Sequence, residues 1–72
     1  MIEGTIHPTL DGRGVQARYS TSEECADVWV IQPDGSERIF ATYNGGIEAW
    51  RCAEAKAISH ARAIDVDLRW RR

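Results

Sequence analysis

Histidine, cysteine and serine are the residue types in this 72-residue chain that could supply a nucleophile, a base or a metal ligand. The candidates are His7, His60, Ser20, Ser22, Ser59, Cys25 and Cys52, together with scattered carboxylates. Catalysis needs a nucleophile, a base and an orienting group within hydrogen-bond reach, and no recognisable motif brings such a set together here. The sequence therefore predicts a protein that is not an enzyme.

The cysteines and histidines would add up to a four-ligand zinc set. Cys25, Cys52, His7 and His60 are scattered along the chain, however, whereas zinc ligands normally come in pairs at short spacing. Gly12-Arg13-Gly14 does not predict a phosphate loop either, because no helix begins directly after it. We therefore expect neither a metal nor another cofactor.

A hairpin in the middle of the chain carries the residue types that dominate binding energetics. Its strands, 28–31 and 38–41, are apolar on both faces and flank the turn Pro33-Asp34-Gly35-Ser36. One helix can cover only one face of a sheet, so the other face should stay open, and exposed apolar patches mark binding sites. The residues expected on the open face are Trp29, Ile31, Arg38, Phe40 and Arg18.

The strand register decides which face is open. The assignment above directs Val28, Val30, Ile39, Ala41 and Tyr43 toward the helix, and the reverse assignment exchanges the two sets. Either way an apolar face is left uncovered. An external protein, a second copy of the chain, or the chain's own loop 20–27 or tail could cover it.

Alternating apolar and polar residues predict the first hairpin. Its strands fall at about 2–10 and 15–19 and are joined by the turn Asp11-Gly12-Arg13-Gly14. Pro8 lacks an amide donor, so the first strand should lie at an edge of the sheet or contain a bulge. A polar, acidic loop is expected from Ser20 to Asp27.

An alanine-rich segment predicts a helix from about Ile47 to Ile64. On a helical wheel its buried side collects Ile47, Trp50, Ala53, Ala57, Ala61 and Ile64. Val66, Leu68 and Trp70 then alternate with polar residues, which predicts a last strand, although residues 65–72 could instead extend the helix and the basic end 69–72 could fray. The predicted class is α+β: one domain, 1–72, with a small antiparallel sheet in the order β-β-β-β-α-β and one helix packed on one face.

The charge distribution limits the choice of partner. Nine Lys and Arg face eleven Asp and Glu, a net charge of −2, and most of the bases lie in the second half of the chain. A mildly acidic total disfavours nonspecific phosphate binding, which needs several cations on one surface. No apolar run could span a bilayer and no signal peptide is recognisable, so we expect a cytoplasmic protein with no membrane partner.

Several short matches fall within residues 14–63. They are Gly14-Val15, Arg18, Trp29-Val30, Asp34-Gly35, Phe40-Ala41-Thr42-Tyr43, Glu48-Ala49, Ala53 and Ala57. With these residues the segment resembles the three-strand-plus-helix DNA-binding domains of the ethylene-response-factor (Apetala) type and of phage integrase arm-binding domains. That resemblance implies a sheet in the major groove, with DNA contacts from Arg18, Trp29 and Arg38. The acidic Glu23 and Glu24 between the hairpins depart from the basic pattern of those families.

In size, charge and open apolar face, the chain is also similar to phage-encoded inhibitors, including anti-CRISPR proteins, which act by occupying the surface of a host protein. The sequence favours a noncatalytic module of this kind, with a protein partner or a second copy of itself as the ligand. A DNA-binding domain that uses the same sheet face is the alternative.

Overall fold

The computed structural model describes residues 1–70, in which five strands precede one helix. The elements are β1 (Ile2–Glu3), β2 (His7–Pro8), β3 (Gly14–Ser20), β4 (Cys25–Ile31), β5 (Glu37–Asn44) and α1 (Ile47–Trp70). Every strand pair is antiparallel, and α1 packs on one face of the sheet. The predicted α+β class is confirmed.

The sheet has two edges of different construction. β3 and β4 lie in the middle, β5 forms one edge, and β1 and β2 both pair with β3 at the other. The predicted first strand is therefore interrupted, and Pro8 lies at the edge as expected. The interruption brings Gly4 close to the sheet, where its amide donates to the Ala17 carbonyl at 2.8 Å.

The turn between β4 and β5 follows the sequence signal. Gly35 has a φ of 90°, a conformation that glycine adopts without steric cost, and its amide donates to the Gln32 carbonyl at 2.9 Å. The turn between β3 and β4 is shorter than the predicted loop 20–27, since β4 already begins at Cys25. Cys25 and Ala26 are small and buried, and they extend the pairing opposite Ser20 and Tyr19.

Small side chains form the core. The strands contribute Val15, Ala17, Ala26 and Val28, and the helix contributes Ala49, Ala53, Ala57, Ala61 and Ile64. The largest fully buried side chains are Val15 and Val28, so helix and sheet approach closely. Four of the six helix positions predicted to be buried are confirmed. The other two differ, since Ile47 is exposed and Trp50 is half-buried beside Tyr19. Ala49 occupies the buried position at the start of the helix instead.

The helix continues where a last strand was predicted. α1 runs to Trp70, so the strand over 66–70 is wrong and the helix extension is the correct alternative. Leu68 lies one turn beyond Ile64 and packs against the same core, which explains why helical spacing prevails. Of the predicted tail 69–72, residues 71–72 lie outside the described residues. In residues 1–70, no helix is both long and apolar enough to cross a membrane.

Candidate functional site

A β-bulge in β5 controls which side chains reach each face of the sheet. Ala41 pairs with Val28 and Ile39 pairs with Trp29, so Phe40 is the extra residue of the bulged strand. Paired residues project to the same face, so Ile39 joins Trp29 on the face away from the helix, and Arg38 joins Val30 on the helix side.

The bulge divides the five predicted site residues into two groups. Trp29, Ile31 and Arg18 lie on the face away from the helix, as expected. Arg38 and Phe40 were expected on that face too, and here the expectation is wrong, because a bulge shifts the alternation of every residue on its far side. Phe40 instead stacks on a helix residue, His60.

Arg18 covers part of the open face. Its guanidinium carbon lies 4.8 Å from the centroid of a Trp29 ring, and its terminal nitrogens donate to both carboxylate oxygens of Glu37 at 2.9 and 2.7 Å. Its Nε donates to the Gln16 amide oxygen at 2.9 Å, and the side chain is only 13% exposed. The hydrogen bonds with Glu37 raise the pKa of Arg18 and lower the pKa of Glu37. Arg18 is thus committed to contacts within the chain.

The rest of the open face is partly covered as well. Ile6 lies so close to Gly14 that a Cβ atom there would be 2.8 Å from the Ile6 Cγ2 atom. Trp29 is half-buried, and its Nε1 is buried with no hydrogen-bond acceptor among residues 1–70. Ile39 remains 47% exposed and is the most accessible large apolar residue of β4 and β5 on this face.

A second surface lies on the helix side, between β5 and α1. The rings of Phe40 and His60 are stacked with their centroids 3.7 Å apart and their planes at 18°. The Lys56 Nζ lies 5.6 Å from the Phe40 centroid, a cation–π distance. Phe40 and His60 line a cleft of about 210 Å³ whose other lining residues are Arg13, Val30, Gln32, Arg38 and Ile39. We call this the Arg38 cleft.

Positive charge collects around the Arg38 cleft. Burial lowers the pKa of His60, and the nearby charges of Lys56 and Arg13 lower it further. Arg13 forms an ion pair with Asp11 at 2.7 Å, but within residues 1–70 neither Arg38 nor Lys56 has an ion-pair partner. The cleft therefore offers a cationic surface that the described chain does not neutralise.

The candidate nucleophiles do not converge. Ser20 and Ser22 contact each other at 3.2 Å, Ser59 donates to the Lys56 carbonyl, and Cys25 is buried while Cys52 is exposed. Among the described residues, none of these hydroxyls or thiols is hydrogen-bonded to a histidine, and no three potential metal ligands cluster.

Comparisons of the chain with family models, curated proteins and solved structures gave no match. The resemblance to three-strand-plus-helix DNA-binding domains stays a prediction, and any assignment rests on the geometry. Sequence reasoning missed His60, Lys56, Arg13 and Ile39 as members of the site. The spacing of Lys56 and His60, one helical turn apart, was the available signal, but their strand partner depends on the bulge.

Proposed function

We propose that this chain is a noncatalytic module that binds an extended segment of another protein along β5. The supporting observation is that β5 is an eight-residue strand at the end of the sheet, with no strand of residues 1–70 on its outer side. Ile39 and Phe40 project from it to opposite faces and are 47% and 45% exposed. A strand added here would gain main-chain hydrogen bonds and side-chain contacts on both faces.

The contrast between the two edges supports this choice of surface. β1 and β2 have two residues each, and Pro8 removes a donor from that edge. β5 is long and contains neither proline nor lysine; the features that oppose pairing there are one bulge and the charged residues Glu37 and Arg38 at its start. An incoming strand therefore has one favourable edge.

An external partner fits the charges better than a second copy does. Two copies joined through β5 around a two-fold axis perpendicular to the sheet would keep their helix sides on the same side of the joined sheet. β5's acidic residue, Glu37, pairs with Ile31 and bonds Arg18 on the opposite face, so the second strand would bring no carboxylate toward Arg38. A different protein segment can supply one.

The DNA-binding alternative receives less support from the geometry. It needs Arg18, Trp29 and Arg38 as contacts from one sheet face, yet Arg18 is bound to Glu37 and Arg38 lies on the helix side. A noncatalytic binding module acts by covering part of the surface of its partner. We therefore propose, more specifically, that binding inhibits the partner protein.

Selection from a displayed library of random peptides tests the proposal. Peptides that bind should protect the outward amides of β5 from hydrogen exchange. Ile39→Lys should abolish binding, and Ile2→Lys, the same change at the opposite edge and at 51% exposure, should leave it intact. Melting curves confirm that both variants fold. Failure to select any peptide, or protection confined to α1, would overturn the proposal.

A further inference from the structure

We propose that the Arg38 cleft receives the carboxylate of an acidic side chain from the segment that docks on β5. This inference rests on the proposed function and adds the chemistry of the ligand: an extended segment with Asp or Glu on the side that faces α1. Arg38 and Phe40 extend from β5 itself, so a residue of an added strand would lie directly beside them.

The donors around the cleft suit a single carboxylate. The guanidinium of Arg38 can donate two parallel hydrogen bonds to both carboxylate oxygens. Lys56 lies on the same side, 5.6 Å from the Phe40 ring, and Arg13 also lines the cleft while its Nε donates to Asp11. Phe40, 45% exposed, offers an apolar surface for the methylene groups of the acidic side chain.

The size of the cleft also favours one side chain over a larger ligand. Its volume is about 210 Å³, below the range of roughly 300–1,000 Å³ that is typical of small-molecule sites. A cleft of this size, open at the sheet edge, matches a side chain delivered by a strand.

A polyanion is less well matched. Binding along a phosphate backbone needs several free cations in a row. Arg18 is held by Glu37, Arg51 pairs with Glu48 at 3.6 Å, and the turn between β3 and β4 carries acidic side chains. On the helix side of the sheet, Arg38 and the helix residue Lys56 are two cations without an ion pair among residues 1–70, a number that suits a single carboxylate better than a row of phosphates.

Hexaglutamate is the probe for a direct test, with NMR detection at the His60 imidazole in the full chain. A bound carboxylate would offset the positive charges of Lys56 and Arg13, which lower the pKa of His60, and so raise that pKa. Arg38→Gln should weaken hexaglutamate binding by about tenfold, since charge-assisted hydrogen bonds are lost. Arg62→Gln, an equal loss of charge at an exposed helix position outside the cleft, should have little effect.

The outcomes separate this inference from the proposed function. No response of His60 to hexaglutamate, in a protein that still captures selected peptides on β5, overturns the inference alone. Response to hexaglutamate without any selected peptide supports the carboxylate site and refutes strand capture. An oligothymidylate with the same charge as hexaglutamate could instead bind more tightly than hexaglutamate and lose that binding in Arg38→Gln. This result would assign the cleft to nucleic acid and overturn the inference.

Discussion

Two arginines of the sheet, Arg18 and Arg38, should differ in how much the same substitution changes the stability of the protein. Arg18→Ala removes a side chain that is 13% exposed, covers the Trp29 ring and bonds both oxygens of Glu37. Arg38→Ala removes an exposed side chain with no ion pair among residues 1–70. The sequence predicted both residues in one binding face, whereas the structure holds Arg18 in contacts within the chain and shows no ion pair for Arg38 among residues 1–70.

The contacts of Arg18 determine how much stability the Arg18→Ala variant should lose. A cation–π contact at the surface contributes about 0.5–1 kcal/mol. The ion pair with Glu37, open to solvent on one side, adds up to about 1 kcal/mol, and the packed aliphatic stem adds a little more. We expect Arg18→Ala to lower the free energy of unfolding by about 1–2 kcal/mol, or the melting temperature by roughly 5–15 °C in a domain of this size. Arg38→Ala should change the free energy of unfolding by less than about 0.5 kcal/mol.

Thermal and urea unfolding followed by far-ultraviolet circular dichroism would measure both variants. Acrylamide quenching adds a local readout, because loss of the Arg18 cover should make Trp29 more accessible. Equal destabilisation by the two substitutions would refute the assignment of roles. An unchanged melting temperature in Arg18→Ala would mean that its guanidinium is available to a ligand, and the DNA-binding alternative would then regain support.

Three further predictions concern the core, a histidine and the thiols. Val28→Ala should lower the free energy of unfolding in urea by about 2 kcal/mol, because Val28 is fully buried. The same change at Val66, which is 52% exposed, should lower it by less than about 0.5 kcal/mol. Similar losses in the two variants would contradict the packing. Because the pKa of His60 is lowered in the folded protein, the unfolded chain binds the proton more readily. The free energy of unfolding should therefore fall as the pH drops below about 6.5. His60→Gln should reduce this pH dependence in unfolding curves recorded over a pH series. A thiol reagent should label Cys52 in the folded protein and the buried Cys25, whose pKa is raised by burial and by Glu23, only after unfolding; mass spectrometry of the labelled peptides distinguishes the two.

The fold was predictable to the extent that local signals agreed with packing. The turn at Gly35, the edge position of Pro8 and the alanine face of the helix all follow from the chemistry of single residues. The segment 66–70 carries two patterns at once, and the strand prediction there was wrong: Val66, Leu68 and Trp70 alternate as strand residues do. Leu68 also continues the helical spacing from Ile64, and contact with the core selects that pattern.

The candidate site was harder to predict because it depends on one inserted residue. Alternation correctly directs Trp29 and Ile31 away from the helix. The bulge at Phe40 then reverses the order in β5, so Phe40 stacks on His60 and Arg38 lines the same cleft on the helix side. Nothing in a strand that is apolar on both faces marks the bulged position, since either arrangement leaves apolar residues on each side.

The unequal edges of the sheet also determine how far molecules of this protein could assemble. A sheet with two free edges can add neighbours on both sides without limit and grow into a fibre. Here the edge formed by β1 and β2 is short and contains Pro8, which disfavours addition, and β5 is the edge at which we propose that one strand is added. A molecule with only one edge that accepts a strand cannot extend a sheet beyond two molecules. Pairing of copies through β5 would therefore stop at a dimer, and an exposed β5 would not lead to fibres.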